Sequence, residues 1–326
     1  MPSDQARAFW ITAPGEGSIQ TQAIAPRASD ELTVRALYSG ISRGTERLIW
    51  QGRVPTSQYQ RMRAPFQNGE FPAPIQYGYA SVGVVEAGPD DWLGQTLFAL
   101  YPHQDRYNLP IDSAFPLPAG LPAARAILTA NAETALNACW DACPRPGEHI
   151  RVVGAGVVGS LVASLCHSLP GTDVELIDIN PARQAIAEAL NLRFASPDQA
   201  RGDADQVIHT SATEAGLDLA LKLAGDDAQV TEISWFGDLA PHVALGEAFH
   251  SRRLTLRSSQ VGQMNPRMRA RWDYRRRLQK ALDIVAAHPE WAALIDAESA
   301  FEDLPETMAH IAASDGLCHR IRYEED

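Results

Sequence analysis

The stretch Arg151–Asp178, RVVGAGVVGSLVASLCHSLPGTDVELID, constrains the fold more than any other part of the chain. A short β-branched run, Arg151–Val153, meets a glycine turn, Gly154-Ala155-Gly156. An apolar helical segment follows from Val157 to about Leu169, and a second apolar run, Val174–Ile177, ends on Asp178. The order predicts strand, turn, helix, strand and acid. Gly154, Gly156 and Gly159 fall on the spacing G-x-G-x-x-G. The first glycine permits the tight turn, the second lets backbone approach a pyrophosphate, and the third lets the helix pack on the strand. The helix N-terminus adds N–H groups and the positive end of its dipole. Asp178 stands 19 positions after Gly159. There it would accept hydrogen bonds from ribose hydroxyls and repel a 2′-phosphate, which favours NAD over NADP. Ala155, Val157 and Val158 line the expected turn. Ile179 follows the acid, and Arg183, read first as a solvated helix residue, is the cation that would otherwise soften the preference for NAD.

The rest of the chain divides around this unit. Residues 1–126 carry strand-like runs at Ala8–Thr12, Ile19–Ile24, Leu32–Ser39, Val82–Ala87 and Leu97–Leu100, separated by glycine, proline and polar residues. This predicts a β-rich, irregular barrel. The glycine and polar segment Ser39–Glu46 is expected to break its third strand. The Ala/Leu-rich stretch Ala123–Ala142 predicts a helix, and residues 127–264 alternate helical segments with apolar runs at Arg151–Val153, Val174–Ile177, Gln206–His209, Val230–Ile233 and Leu254–Arg257. That is the pattern of a doubly wound parallel α/β sheet, a Rossmann-type domain. Ligands lie across the carboxyl ends of such strands, which adds Thr210, Ser211 and Ser258 to the cofactor set. Residues 265–326 are expected to return to the first domain, with the active site in the cleft between the two. Within them a basic helix holds Arg267, Arg269, Arg271, Arg275, Arg276, Arg277 and Lys280, read as a solvated face.

Composition narrows the function. A net charge of −12 argues against nucleic-acid binding, and no apolar run is long enough to span a bilayer. The partner expected is a small-molecule substrate, with neither nucleic acid nor membrane. The start MPSDQARAFW lacks a signal pattern, and four cysteines are too few for a disulfide framework, so a cytoplasmic enzyme is expected. Cys139 and Cys143 share a predicted helix face and read as buried thiols.

GISRGTE (Gly40–Glu46), GYASVGVV (Gly78–Val85), the Thr134 region, VVGAGVVG (Val152–Gly159) and VELIDINPAR (Val174–Arg183) together resemble the medium-chain dehydrogenase/reductase superfamily. The resemblance covers nearly the whole chain. It implies a GroES-like catalytic domain, a Rossmann domain and hydride transfer between nicotinamide and an alcohol or carbonyl. It also implies that Thr134 contacts the nicotinamide; read from its own place at a predicted helix start, Thr134 would instead cap the helix. Zinc members place a cysteine, a histidine and a second cysteine where this chain has Arg43, Tyr79 and Ala130. No zinc is therefore expected. Ser39–Pro55 with Gly78-Tyr79 looks most like the zinc-free branch that contains the hydroxyethyl-bacteriochlorophyllide dehydrogenases.

Without a metal, hydrogen-bond donors must meet the charge on the reacting oxygen. Tyr79 and Arg43 are the first candidates, with the Arg43 cation expected to lower the Tyr79 pKa. Thr45 resembles a proton-relaying hydroxyl, and Ser42, Glu46 and His103 are secondary candidates. The expected function is metal-independent hydride transfer between NAD(H) and an alcohol or ketone. The alternatives are a zinc-free quinone or enone reductase and a non-catalytic nucleotide-binding or redox-sensing protein. A homodimer, with strand Leu254–Arg257 pairing across a two-fold axis, is the expected assembly.

Overall fold

The computed structural model describes residues 5–324. The chain forms two compact units. The first holds residues 1–130, Leu282–Pro289 and Ile295–Asp326, and the second holds Asn131–Ala281 and Glu290–Leu294.

The second unit contains the glycine turn. Its sheet is wholly parallel and has six strands. Their spatial order is Arg193–Ala195, Asp173–Ile177, His149–Val153, Ala204–His209, Ala224–Glu232 and Thr255–Ser258. This order runs outward in both directions from the first strand, so the switch point falls at His149–Val153, where the glycine turn begins. Five of the strands were readable as apolar runs. Arg193–Ala195 was not, because a three-residue edge strand carries too little pattern to register. Helices Val157–His167 and Glu214–Leu223 cover the sheet, and Val153, Ile177, Val207, Leu221 and Val230 meet in its core.

The Ala/Leu-rich segment predicted as one helix over Ala123–Ala142 is two, Ala123–Ala126 and Thr129–Ala142. The basic helix begins at Tyr274, and its residues through Ala281 pack with the second unit. Arg277 is not part of a solvated face. It is buried and donates to Glu133 Oε1 at 2.9 Å, Asn137 Oδ1 at 2.6 Å and the Val261 carbonyl at 2.6 Å. Arg271, Arg275 and Arg276 on the same segment are exposed.

The first unit is β-rich. Gln5–Ala13 and Glu16–Ala23 form an antiparallel hairpin. The long strand Glu31–Ile41 pairs with Ser81–Ala87, Arg106–Pro110 and the C-terminal strand Cys318–Arg322. Ser39 and Gly40 do not break that strand, which continues through both to Ile41. Gly40 is needed there for close packing, since a Cβ on it would stand 3.1 Å from Ile127 Cβ. The polar residues after Ile41 instead start a helix, Arg43–Trp50. Among the described residues, no helix is long and apolar enough to cross a membrane.

Candidate functional site

In the second unit the glycine turn has the geometry its sequence predicted. Gly154 has φ +112°, a conformation that a side chain opposes. Gly159 is packed against the turn: a Cβ there would lie 1.9 Å from the Gly154 carbonyl oxygen and 2.6 Å from Thr210 Oγ1. Gly156 differs from both. It is exposed, it caps helix Val157–His167, and a Cβ on it would meet nothing within 4 Å. Two glycines therefore serve packing, while the third leaves open space beside the backbone. Val157 and Val158 are half-buried in the first helical turn.

Asp178 ends the strand beside this turn. Its Oδ2 accepts from the Ala155 N–H at 2.7 Å and its Oδ1 accepts from the Asn180 N–H at 2.9 Å. Ile179 follows with 85% of its surface exposed, an apolar side chain held open beside a carboxylate. Arg183 is buried at the start of helix Arg183–Ala189, so the solvated-residue reading of it does not hold. These residues fit a dinucleotide: backbone and helix N-terminus for the pyrophosphate, and Asp178 for ribose hydroxyls.

Thr210 and Ser211 lie at the carboxyl end of Ala204–His209. The Thr210 hydroxyl reaches Val153 O at 3.1 Å and Gly154 O at 2.8 Å, so it braces the glycine turn. Ser211 Oγ is 2.6 Å from His209 Nε2, and His209 Nδ1 is 2.5 Å from Glu232 Oε2. This buried histidine was missed in the sequence because its partner is 23 positions away. Ser258 is exposed at the end of the edge strand. Thr134 lies within helix Thr129–Ala142, more than a turn beyond its start, so the capping role does not apply.

In the first unit, helix Arg43–Trp50 gathers a polar cluster. Tyr79 is half-buried and hydrogen-bonded to the side chains of Ser42 and Thr45. The Ser42 N–H donates to Glu46 Oε1 at 2.7 Å. Glu46 Oε2 is 2.9 Å from His103 Nε2, and both side chains are nearly inaccessible. His103 Nδ1 lies 2.7 Å from Ser39 Oγ, which is 3.0 Å from the Tyr323 hydroxyl. Gly78 makes room for this histidine: a Cβ on it would stand 2.9 Å from His103 Cδ2. His103, a secondary candidate in the sequence, lies in a loop and is buried there, its ring bridging Glu46 and Ser39.

The Tyr79 pKa departs from expectation. Burial, and then the Glu46 carboxylate, push it up to about 12, against the lowering hydrogen bonds of Ser42 and Thr45. The expectation that the Arg43 cation depresses it is reversed. Arg43 Nη1 lies 3.0 Å from where a Gly316 Cβ would stand, and Asp296 Oδ2 lies 3.3 Å from the same point. Arg43 therefore faces the C-terminal return segment.

The donor set does not fit zinc. Ala130 is buried and apolar, Tyr79 is bonded to two hydroxyls, and Arg43 is a cation. Among the described residues no group of three or more His, Cys, Asp or Glu is arranged to hold a metal ion. The cysteines are free. Cys166 and Cys318 are buried, while Cys143 is exposed and departs from the buried-thiol expectation.

These features define the fold class: an α/β protein with a parallel Rossmann sheet in one unit and a GroES-like β-rich fold in the other. Solved structures share that fold. L-idonate 5-dehydrogenase of Escherichia coli K-12 superposes with a TM-score of 0.80 at 13% identity, covering 98% of each chain. A Sinorhizobium meliloti protein described as a zinc-binding dehydrogenase, bound to NADP, gives 0.78 at 16% identity, covering 98% of this chain and all of that one. An alcohol dehydrogenase of Escherichia coli CFT073 complexed with NADH gives 0.76 at 13%, covering 98% of this chain and 100% of the other. At such identities the likeness is one of fold. In sequence, L-threonine 3-dehydrogenase of Ruegeria pomeroyi is 30% identical over 87 residues, 27% of this chain. That match spans about a quarter of the relative's length, 25%. No family model matches the chain.

Proposed function

We propose that this protein is a metal-independent oxidoreductase that moves hydride between NAD(H) and a secondary alcohol or ketone. The observation that carries this reading is the Tyr79–Ser42–Thr45–Glu46 cluster, which holds a protonated phenol at the position where, by the sequence resemblance, zinc members carry a histidine. NADH, when bound, supplies the hydride. The protein must then stabilise the negative charge that develops on the carbonyl oxygen and deliver a proton to it. Tyr79, neutral at working pH, donates a hydrogen bond to that oxygen and gives up its proton as the C–O bond becomes an alkoxide. Ser42 and Thr45 donate to the phenolate oxygen left behind, and a solvent proton restores the phenol. Oxidation of an alcohol runs the same steps in reverse.

The glycine turn and the helix N-terminus would bind the pyrophosphate. Asp178 would accept from the adenosine ribose and disfavour a 2′-phosphate, which makes NAD the preferred cofactor. We further propose a homodimer built through the edge strand Thr255–Ser258. Its exposed backbone edge and Leu256, 37% exposed, suit addition of the same strand from a second copy. Light scattering should return twice the monomer mass, and a monomer at micromolar concentration would remove this part.

Tyr79→Phe is the direct test of the chemistry. Turnover of a panel of ketones with NADH should fall by about a hundredfold or more, while NADH binding stays unchanged. Elemental analysis of the active protein should find no stoichiometric metal, and prolonged chelation should leave the rate unaltered. Full activity in Tyr79→Phe, or loss of activity on chelation, would overturn the mechanism.

A further inference from the structure

The Rossmann unit holds a serine, a histidine and a glutamate in a hydrogen-bonded row that opens to the surface. His209 ends the strand Ala204–His209 and is fully buried. Its Nδ1 is 2.5 Å from Glu232 Oε2, and its Nε2 is 2.6 Å from Ser211 Oγ. The other Glu232 oxygen accepts from the Ser234 N–H at 2.7 Å, so the carboxylate is fixed at both oxygens. Ser211 Oγ is 2.9 Å from Thr213 Oγ1, which accepts from the Gly216 N–H at 3.1 Å. One set of directions satisfies every link. Gly216 donates to Thr213, the Thr213 hydroxyl to Ser211, the Ser211 hydroxyl to His209 Nε2, and His209 Nδ1–H to Glu232. The histidine is thus held in the tautomer that can accept a serine proton. The same three residue types meet at His103, but there Ser39 is 1% exposed and sealed in the core. Ser211 is half-buried, and Thr213 beside it is exposed.

A hydroxyl, a base within hydrogen-bond reach of it and an acid that orients the base make an activated serine, whatever their order in the chain. We infer that Ser211 is a nucleophile, with His209 as its base and Glu232 orienting that base, and that it takes acyl groups from small carboxylic esters. Helix Glu214–Leu223 begins just after Ser211, and its first turn packs on the hydroxyl: a Cβ on Gly216 would stand 2.2 Å from Ser211 Oγ and 2.7 Å from His209 Nε2. The first N–H groups of a helix have no partner within it. The Gly216 N–H is taken by Thr213, and those of Glu214 and Ala215 offer donors, backed by the positive end of the dipole, to an oxyanion formed beside Ser211. Ser211 Oγ attacks the ester carbonyl carbon while its proton passes to His209 Nε2. The bond to the alkoxy group then breaks, and His209 gives the proton to the departing alcohol. Water repeats the sequence on the acyl-serine, which releases the carboxylic acid and restores the hydroxyl. The reaction consumes one water for each ester and stands apart from hydride transfer.

Covalent labelling tests this. The full chain, without added cofactor, is incubated with an alkyl fluorophosphonate, and the adduct is located by peptide mass mapping. It should form on Ser211, and Ser39 should stay unlabelled. The protein should also hydrolyse p-nitrophenyl acetate, and Ser211→Ala should lose both the adduct and at least about nine-tenths of that hydrolysis. His209→Gln, which removes the base, should slow labelling of Ser211 by about a hundredfold or more. Glu232→Gln preserves the size of the acid and carries the same test should the buried histidine variant fail to fold; it should slow labelling by at least about tenfold. An unlabelled Ser211 in wild type, ester hydrolysis undiminished in Ser211→Ala, or labelling as fast in the folded His209 and Glu232 variants as in wild type overturns the inference. Neither NADH nor a ketone enters the assay, so its outcome is independent of Tyr79.

Discussion

Gly156 and Gly159 lie three residues apart in one motif, yet the structure assigns them opposite costs. A methyl group at Gly159 would stand 1.9 Å from the Gly154 carbonyl oxygen, whereas non-bonded heavy atoms settle near about 3.5 Å. The turn must retreat by more than an ångström. That carbonyl accepts from Thr210 at 2.8 Å, and the Gly154 N–H donates to Ile177 O at 2.8 Å, so the movement loosens both bonds. Overpacking costs about 1–3 kcal/mol, and one lost hydrogen bond about 0.5–1.5 kcal/mol. Gly159→Ala should thus be destabilised by roughly 2–4 kcal/mol. At about 2–4 °C per kcal/mol, the melting temperature should drop by roughly 4–16 °C. Gly156→Ala meets nothing within 4 Å, and its stability should change by less than about 1 kcal/mol. Its methyl group instead occupies the path by which a pyrophosphate reaches the backbone, so NADH should bind at least about tenfold more weakly. Differential scanning fluorimetry and NADH fluorescence titration read the two effects separately. A folded Gly156→Ala that binds NADH as tightly as wild type would refute the assignment of this turn to the dinucleotide.

Asp178→Ala should raise the use of NADPH relative to NADH by about tenfold or more, because the like charge facing a 2′-phosphate is gone. An unaltered cofactor ratio in steady-state kinetics would show that Asp178 serves only the turn. Stability should also fall in alkali. Burial first, with further carboxylate charge, raises Tyr79 and Tyr101 from 10.0 to about 12. An acid whose folded pKa is raised contributes stability that is complete below its unfolded pKa and is lost as pH climbs through the folded one. Cys318, raised by burial from 9.0 to about 12, adds to the loss, so the melting temperature should hold to about pH 9 and decline from there to about pH 12. Tyr101→Phe, which removes one titrating group outside the proposed chemistry, should decline less steeply. Parallel curves for the two proteins would deny Tyr101 that role.

The difference between what could and could not be read from the chain follows from the range of the forces involved. The glycine turn was readable because its constraints are local: Gly154, Gly156 and Gly159 answer to backbone sterics within a few residues of each other. The parallel sheet was readable for a similar reason, since each buried strand announces itself as an apolar run. Where that local signal thins, the sequence reading fails, as in the strand Arg193–Ala195 and at the break between Ala126 and Thr129. The electrostatics of Tyr79 belong to another category. Arg43 and Glu46 stand three positions apart, so sequence distance cannot choose between them; burial and then Glu46 raise Tyr79, and Glu46 is bonded to a histidine 57 positions away. No local pattern reports that His103 is buried or that Gly78 gives it room.

The sign of that error has a chemical consequence. A tyrosine beside a cation would be poised to lose its proton and act as a base. Burial and the Glu46 carboxylate raise Tyr79 instead, so the phenol of the proposed chemistry rests protonated, and the same group must serve both directions of a reversible hydride transfer.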